Sequence, residues 1–350
     1  MILRGAAERI LKNAISDGVF NCAVLGIVKN GEIIEPIASG IAGKNTIAEF
    51  KVSQDSIFDI ASITKAVPVS TLALIALDRK RVSLSTPITE LLPEYHSPNR
   101  KEITFKNLLT QTLNFDFALA DMKQKDAAEI YRAVMTAPLK NPAGTSYFYC
   151  NATSIILARV VEQIWQKQLD EIASQELFVP LGMRDTMFRP CDEIKEKIVA
   201  TEIDQWRGRV IKGEIHDESS WKLNEIIIPG AAGIFSTTPD LQKYLKEILI
   251  EEKCLFSKNF LDFAIKNHLP EAINNSAALG FELNQEYMGN LRGQNTFGKT
   301  GFTGAVIIGD RARKSGFVLL SDYTFPTRKP NRDSINRIRA EIADFLWSKP

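Results

Sequence analysis

The chain carries one pattern at its start and the mirror of that pattern at its end, and this restricts the possible folds more than any other feature of the sequence. At the start, Ile2, Leu3, Ala6, Ile10, Leu11, Ala14 and Ile15 recur at helical spacing between charged residues, and Gly18 stops the run. Two apolar, β-prone runs follow on either side of Asn30-Gly31, a dipeptide that strongly favours a tight hairpin. At the end, "TGAVIIGD" and "GFVLLSD" flank the polar turn "RARKSG", and a last amphipathic segment places Ile335, Ile338, Ile342 and Phe345 on one stripe. Between the ends, "TFKNLLTQTL", "KDAAEIYRAVM" and "ATSIILARVVEQIWQKQLDEIASQELF" have helical periodicity and are separated by loops containing Pro and Gly. The pattern predicts an α+β protein, an α/β sandwich in which a central antiparallel sheet is flanked by N- and C-terminal helices and a mostly helical lobe is inserted. We expect one domain over 1–350, with a sheet lobe of residues 1–80 and 205–350, a helical lobe of 81–204, and one site at their junction.

Composition narrows the function classes. A formal net charge of +1 argues against a surface built for nucleic acid, and the basic run "TRKPNR" reads as a solvated turn. The N-terminal segment lacks the unbroken apolar stretch and small-residue cleavage site of a secretory signal, and no later run is read as the ~18–20 apolar residues of a membrane helix. The expectation is a cytoplasmic protein without a membrane partner. Cys22, Cys150, Cys191 and Cys254 lie far apart with no Cys-x-x-Cys, which suggests reduced thiols and neither a zinc site nor a disulfide framework. Gly230 and Gly233 belong to no phosphate-cradling pattern. With three histidines and no Gly-x-Ser-x-Gly, a Ser-His-Asp hydrolase of the α/β type is also disfavoured.

The chemistry is concentrated in three short stretches. In "FDIASITKAVPVSTLALIALD", Ser62 and Lys65 stand at i and i+3 of a helical apolar segment, so the amine can reach the hydroxyl. A lysine in apolar surroundings can take a serine proton near neutral pH, and a serine at a helix start has free N–H groups for developing negative charge. Pro68 is expected to kink this helix just after the pair. The pattern alone is weak, because Ser219 and Lys222 repeat it. In "NPAGTSYFYCNATS", Tyr149 and Asn151 stand at the start of a long amphipathic helix. The phenol can shuttle a proton beside a lysine, and Asn151 can bind a substrate carbonyl or hold Lys65. The plainer alternatives are a core aromatic and a helix N-cap. In "FGKTGFTGAVIIGD", the Lys299-Thr300-Gly301 triplet adjoins a strand. Gly301 would admit another backbone, such as an extended substrate, Phe302 N–H would be a second oxyanion donor opposite Ser62 N–H, and Lys299 would supply positive potential.

These stretches, in this order and with a helical lobe between the first two, resemble the serine β-lactamase and penicillin-binding-protein superfamily, in the branch shared by class C β-lactamases, D,D-peptidases and family VIII-type esterases. The resemblance spans nearly the whole chain, and "LSTPITELLPEY", "ITFKNLLTQT", "LFVPLGMRDTMF" and "GAAGIFSTTPDLQKYL" look like the connecting motifs of that branch. It implies an acyl-enzyme on Ser62, with Lys65 and Tyr149 handling protons, Ser62 and Phe302 N–H groups holding the oxyanion, and Asn151, Lys299, Thr300 and Gly301 contacting substrate. The chain departs from the usual Leu-Leu-Thr-His-Thr-Ser-Gly with "LLTQTLNF", so the following loop and substrate selection are open there. Cys150 replaces a more usual serine, and Lys299, where esterase-like members often have histidine, leans towards a substrate bearing a carboxylate. "EIHDESS" resembles a His-Asp-Glu segment of some members, which makes His216 a candidate at the site mouth against the alternative of a polar loop.

The sequence reading is therefore a serine hydrolase acting on a small ester or amide, with no cofactor and no metal. Esterase or peptidase-like activity is favoured over true β-lactamase activity, because the expected location is cytoplasmic. An acyltransferase on the same scaffold is the first rival and a non-catalytic ligand-binding module the second; the oligomeric state is open.

Overall fold

The computed structural model describes residues 2–46, 49–252 and 255–348. Cys254 lies outside them. Helix α1 (Ile2–Ser16) ends before Gly18, whose φ of 69° turns the chain into β1 (Cys22–Lys29). Asn30 and Gly31 both have positive φ, as a two-residue hairpin with the strands' own twist requires, and β2 (Glu32–Ala42) and the short β3 (Phe50–Lys51) follow. Helices α2 (Thr71–Asp78), α3 (Asn151–Trp165) and α4 (Thr238–Ile250) come next. The chain then returns to the sheet as β4 (Glu282–Leu283), β5 (Phe297–Thr300), β6 (Val306–Asp310) and β7 (Ser315–Ser321) and closes with α5 (Asp333–Trp347).

The seven strands run in the order β3-β2-β1-β7-β6-β5-β4, and every neighbouring pair is antiparallel. The two ends of the chain meet at the β1–β7 pair, from Ala23 opposite Ser321 to Val28 opposite Gly316. Alternation along the strands assigns each residue to a face. Leu25, Ile27, Val306, Ile308, Phe317 and Leu319 pack with the apolar stripes of α1 and α5, including the predicted Ile335, Ile338, Ile342 and Phe345. Val24, Ile307, Val318 and Leu320 face the other way, onto α4 and a core that continues through Leu108 and Ile155 of the helical region. One apolar core thus runs from the sheet into the helices and fixes the floor between them.

The segment Ala61–Asp78 corrects one expectation: it is long and apolar enough to cross a membrane, with mean hydropathy 1.3, but 83% of it is buried inside the fold. Its apolarity serves the core under the site.

Candidate active site

Ser62 and Lys65 lie on a 3₁₀ turn, Ala61–Lys65, which brings i and i+3 into register. Lys65 is buried at 3% exposure, and its Nζ donates to Ser62 Oγ (2.9 Å) and to the Ala231 carbonyl (2.6 Å). The turn is held from below. Ala61 adopts φ +46°, an uncommon conformation for a residue with a side chain, and its N–H donates to the buried Asp59 Oδ1 at 2.7 Å. Asp59 Oδ2 accepts the His216 N–H (2.8 Å), and the Asp59 carbonyl accepts Thr303 Oγ1 (2.8 Å). The expected kink is present, with Val67 leaving helical space at φ −116°, ψ 102° just before Pro68. Ser62 therefore stands at the head of one tight turn, separated by this break from the α-helix that begins at Thr71.

Tyr149 completes the cluster. Its phenol stands beside Ser62, and its ring centroid lies 5.2 Å from Lys65 Nζ and 4.1 Å from Lys299 Nζ. The residue exposes 39% of its surface to the cleft, yet protein surrounds the phenol closely enough for burial to push its pKa up. The ammonium groups of Lys65 and Lys299, with the neighbouring Ser62 hydroxyl, outweigh that burial and hold the phenol below its usual range.

Sequence reasoning missed the partner of Lys299. Glu282 faces Gly298 across the β4–β5 pair, and its Oε1 lies 2.6 Å from Lys299 Nζ while its Oε2 accepts the Tyr287 hydroxyl at 2.7 Å. Burial opposes both charges, but the pairing prevails, so the Lys299 ammonium is held above its ordinary range and the Glu282 carboxyl below its own. Lys299, on which the lean towards a carboxylate substrate rests, is thus already paired with a carboxylate of this chain. No short-range motif marks this pair; only strand register brings it together.

Four other expectations change. Asn151 neither caps its helix, where Cys150 is the N-cap residue, nor bonds Lys65; its Nδ2 donates to Asp217 Oδ2 (2.9 Å) and Ser219 Oγ (3.3 Å). The backbone that approaches Gly301 is this chain's own: a Cβ there would lie 2.4 Å from the Ile60 carbonyl, so glycine is needed for the β5 end to pass beside the Ser62 turn. The basic turn near the C-terminus is not merely solvated, since Arg328 bonds Glu202 and Glu218 at 2.8 Å each and, with Arg332, borders the Ser62 cleft. His216 is buried rather than on an open polar loop. Its Nε2 lies 2.8 Å from Glu202 Oε2, and its ring stacks on Phe302 at 5.4 Å.

The resulting cleft, about 180 Å³, is bordered by Ser62, Tyr149, Asn151, Thr300, Phe302 and His216 among others, while Lys65 and Lys299 lie behind it. Among the described residues neither Ser62 N–H nor Phe302 N–H has a hydrogen-bond acceptor within the protein, as oxyanion donors require. Beyond β4, whose pairing to β5 stops at Gly298, the edge of Lys299 and Thr300 is free of a strand neighbour. The Cys150 thiol is pushed up by burial and sits 3.2 Å from Thr153 Oγ1, which suits a protonated packing group and not a nucleophile.

Comparison with known proteins identifies a family and a fold. The family model described as Beta-lactamase matches residues 7–341. The N-acetylmuramyl-L-alanine amidase of Bacillus subtilis (strain 168) is 25% identical over 356 aligned positions, covering 90% of this chain and 80% of that protein. A putative D-alanyl-D-alanine carboxypeptidase of Escherichia coli (strain K12) is 22% identical, covering 92% and 83%. Among solved structures, EstCE1, a hydrolase with promiscuous acyltransferase activity, superposes with a TM-score of 0.80 at 16% identity, over 99% of this chain and 98% of that one.

Proposed function

The chain belongs to the Beta-lactamase family, and from that footing we propose that it is a serine hydrolase that cleaves a small ester or amide through an acyl-enzyme on Ser62. The observation that carries this reading is the bond from the buried Lys65 Nζ to Ser62 Oγ at 2.9 Å, with the Tyr149 phenol beside both, set in a cleft that two unengaged N–H groups border.

Each step has an assigned group. Ser62 Oγ attacks the carbonyl carbon as its proton passes to Tyr149, whose lowered pKa suits an acceptor, while Lys65 fixes Oγ and stabilises the phenolate. The tetrahedral oxyanion lies between the Ser62 and Phe302 N–H groups. Tyr149 then returns the proton to the leaving alcohol or amine, and water, activated by the same group, releases the acid and restores Ser62. Lys299, anchored by Glu282, keeps positive potential beside the phenol throughout. Asn151, locked to Asp217, borders the cleft, and Thr300 ends the open edge of β5 where a substrate can pair.

The names of the relatives support amide or ester cleavage as the reaction class. EstCE1 keeps a second reading in view, in which an alcohol or amine replaces water as acyl acceptor. Intact-protein mass after brief exposure to activated esters and a penicillin tests the proposal: an acyl increment in wild type that Ser62→Ala lacks is the expected result, and an increment that survives in Ser62→Ala overturns it. Product analysis with added alcohols and amines separates the two readings, since transfer exceeding hydrolysis would favour the acyltransferase.

A further inference from the structure

A second hollow, about 310 Å³, shares Tyr149 and Asn151 with the charged mouth. The two spaces differ in chemistry. The Ser62 cleft is bordered by His216, Asp217, Glu218, Arg328 and Arg332, whereas the hollow is walled by Phe115, Phe117, Leu119, Phe148 and Cys150, with no charged residue on its lining.

The wall is braced by positions at which the sequence departs from its family's usual pattern, of which Cys150 itself lines the hollow. Gln111 stands where histidine is usual; its carbonyl accepts the Phe148 N–H (2.8 Å) and its Oε1 the Cys150 N–H (3.3 Å), tying the wall to the Tyr149 segment. Leu113 and Asn114 replace the Ser-Gly turn, and the Cys150 sulfur lies 4.0 Å from the Leu113 carbonyl. The loop beyond is braced by Asp116 N–H to the Pro138 carbonyl (2.9 Å) and Lys140 N–H to the Asn114 carbonyl (2.7 Å), and Phe115 and Phe117 meet edge to face at 6.0 Å. This is a formed recess with 40% of Phe148 left open to solvent, adjoining the Ser62 cleft, with which it shares Tyr149 and Asn151.

Resting on the acyl-enzyme reading above, we propose that this hollow receives an apolar alkyl or aryl arm of the ester or amide that acylates Ser62, so that the substrate is apolar on one side of the scissile bond. The arm belongs either to the acyl group or to the leaving group, and the test separates them. The acyl arm is read with p-nitrophenyl acetate, butyrate, hexanoate and octanoate, and the leaving-group arm with methyl to hexyl acetates, by kcat/KM on the intact protein. A rise of about fourfold per methylene until the hollow is full, in one series, supports the proposal and identifies the side; two flat series overturn it. Ala120→Trp, which narrows the hollow, should shorten the preferred chain, and Phe117→Ala should lengthen it; an unchanged preference in a folded variant overturns the assignment. Ser62 labelling by the acetate ester is followed in parallel. Labelling with flat series removes only the role of the hollow, while no labelling by any ester removes the acyl-enzyme reading and this proposal with it.

Discussion

Ser-x-x-Lys occurs twice in the chain, and the two copies reach different ends. Ser62 and Lys65 sit on a buried 3₁₀ turn and touch at 2.9 Å. Ser219 and Lys222 sit on the short helix Glu218–Leu223, where Ser219 Oγ donates to Asp217 Oδ1 (2.7 Å) and Lys222 Nζ lies 5.2 Å from the Trp221 ring centroid. Spacing is the same in both. What differs is the backbone beneath the serine and the chemical surroundings of the lysine: the first pair has a turn anchored on Asp59, a buried amine and a phenol above it, and the second has a half-buried lysine beside an indole ring and a serine already engaged in orienting a carboxylate.

Mutagenesis can break or sharpen that contrast. The largest effect is expected from Ser62→Ala, which should lower acylation by roughly 10⁴–10⁶-fold, read as the rate of mass increment with an activated ester. Lys65→Ala and Tyr149→Phe should each cost about 10²–10⁴-fold, and wild-type rates in either would remove the assigned proton path. Glu282→Gln leaves the buried Lys299 without its counter-charge and should cost about 3–5 kcal/mol of stability, measured by denaturant unfolding. Its pH dependence has a definite sign. Burial would raise the Glu282 carboxyl, but Lys299 outweighs it and the folded value lies below the unfolded one. The associated stability is therefore present above the unfolded pKa of about 4.3 and is lost as pH falls through the folded value, so wild type should lose stability on acidification that the variant does not. Lys299→Met removes one of the cations that hold the Tyr149 phenol low, so the acid limb of the kcat/KM profile should move towards alkaline pH. The smallest effects belong to the second motif: Ser219→Ala and Lys222→Ala should each leave acylation within about threefold. A larger loss for Ser219→Ala would show that the hold on Asn151 through Asp217 reaches the chemistry.

Local signals made much of this legible in the sequence. Asn30-Gly31 announced the hairpin because positive φ at two successive residues is a local demand, and the apolar runs in "TGAVIIGD" and "GFVLLSD" around a polar turn announced a strand pair. Ser62, Lys65 and Tyr149 were readable because three motifs in a fixed order are rare by chance. Glu282 was not, because its contact with Lys299 follows from which residue of β4 faces Gly298, and a two-residue strand leaves too little pattern to read. Gly301 was recognised as a point of close approach, but the neighbour it admits, the Ile60 carbonyl, comes from the opposite end of the chain. The roles of Arg328, Arg332 and Asp217 were hidden for the same reason: a charge in a turn looks solvated until the fold places a carboxylate or an aromatic ring beside it.

Asp59 carries a consequence for the time course of folding. One residue joins the nucleophile turn to His216, 157 positions away, and to Thr303, 244 positions away. Contacts of such long sequence separation form late, because the intervening chain must be ordered before they return any stability. Helix formation can run ahead while the Ser62 turn still lacks its brace. During refolding, recovery of the far-ultraviolet signal should therefore precede recovery of ester turnover, and a newly made chain should remain chemically silent until its last strands have joined the sheet.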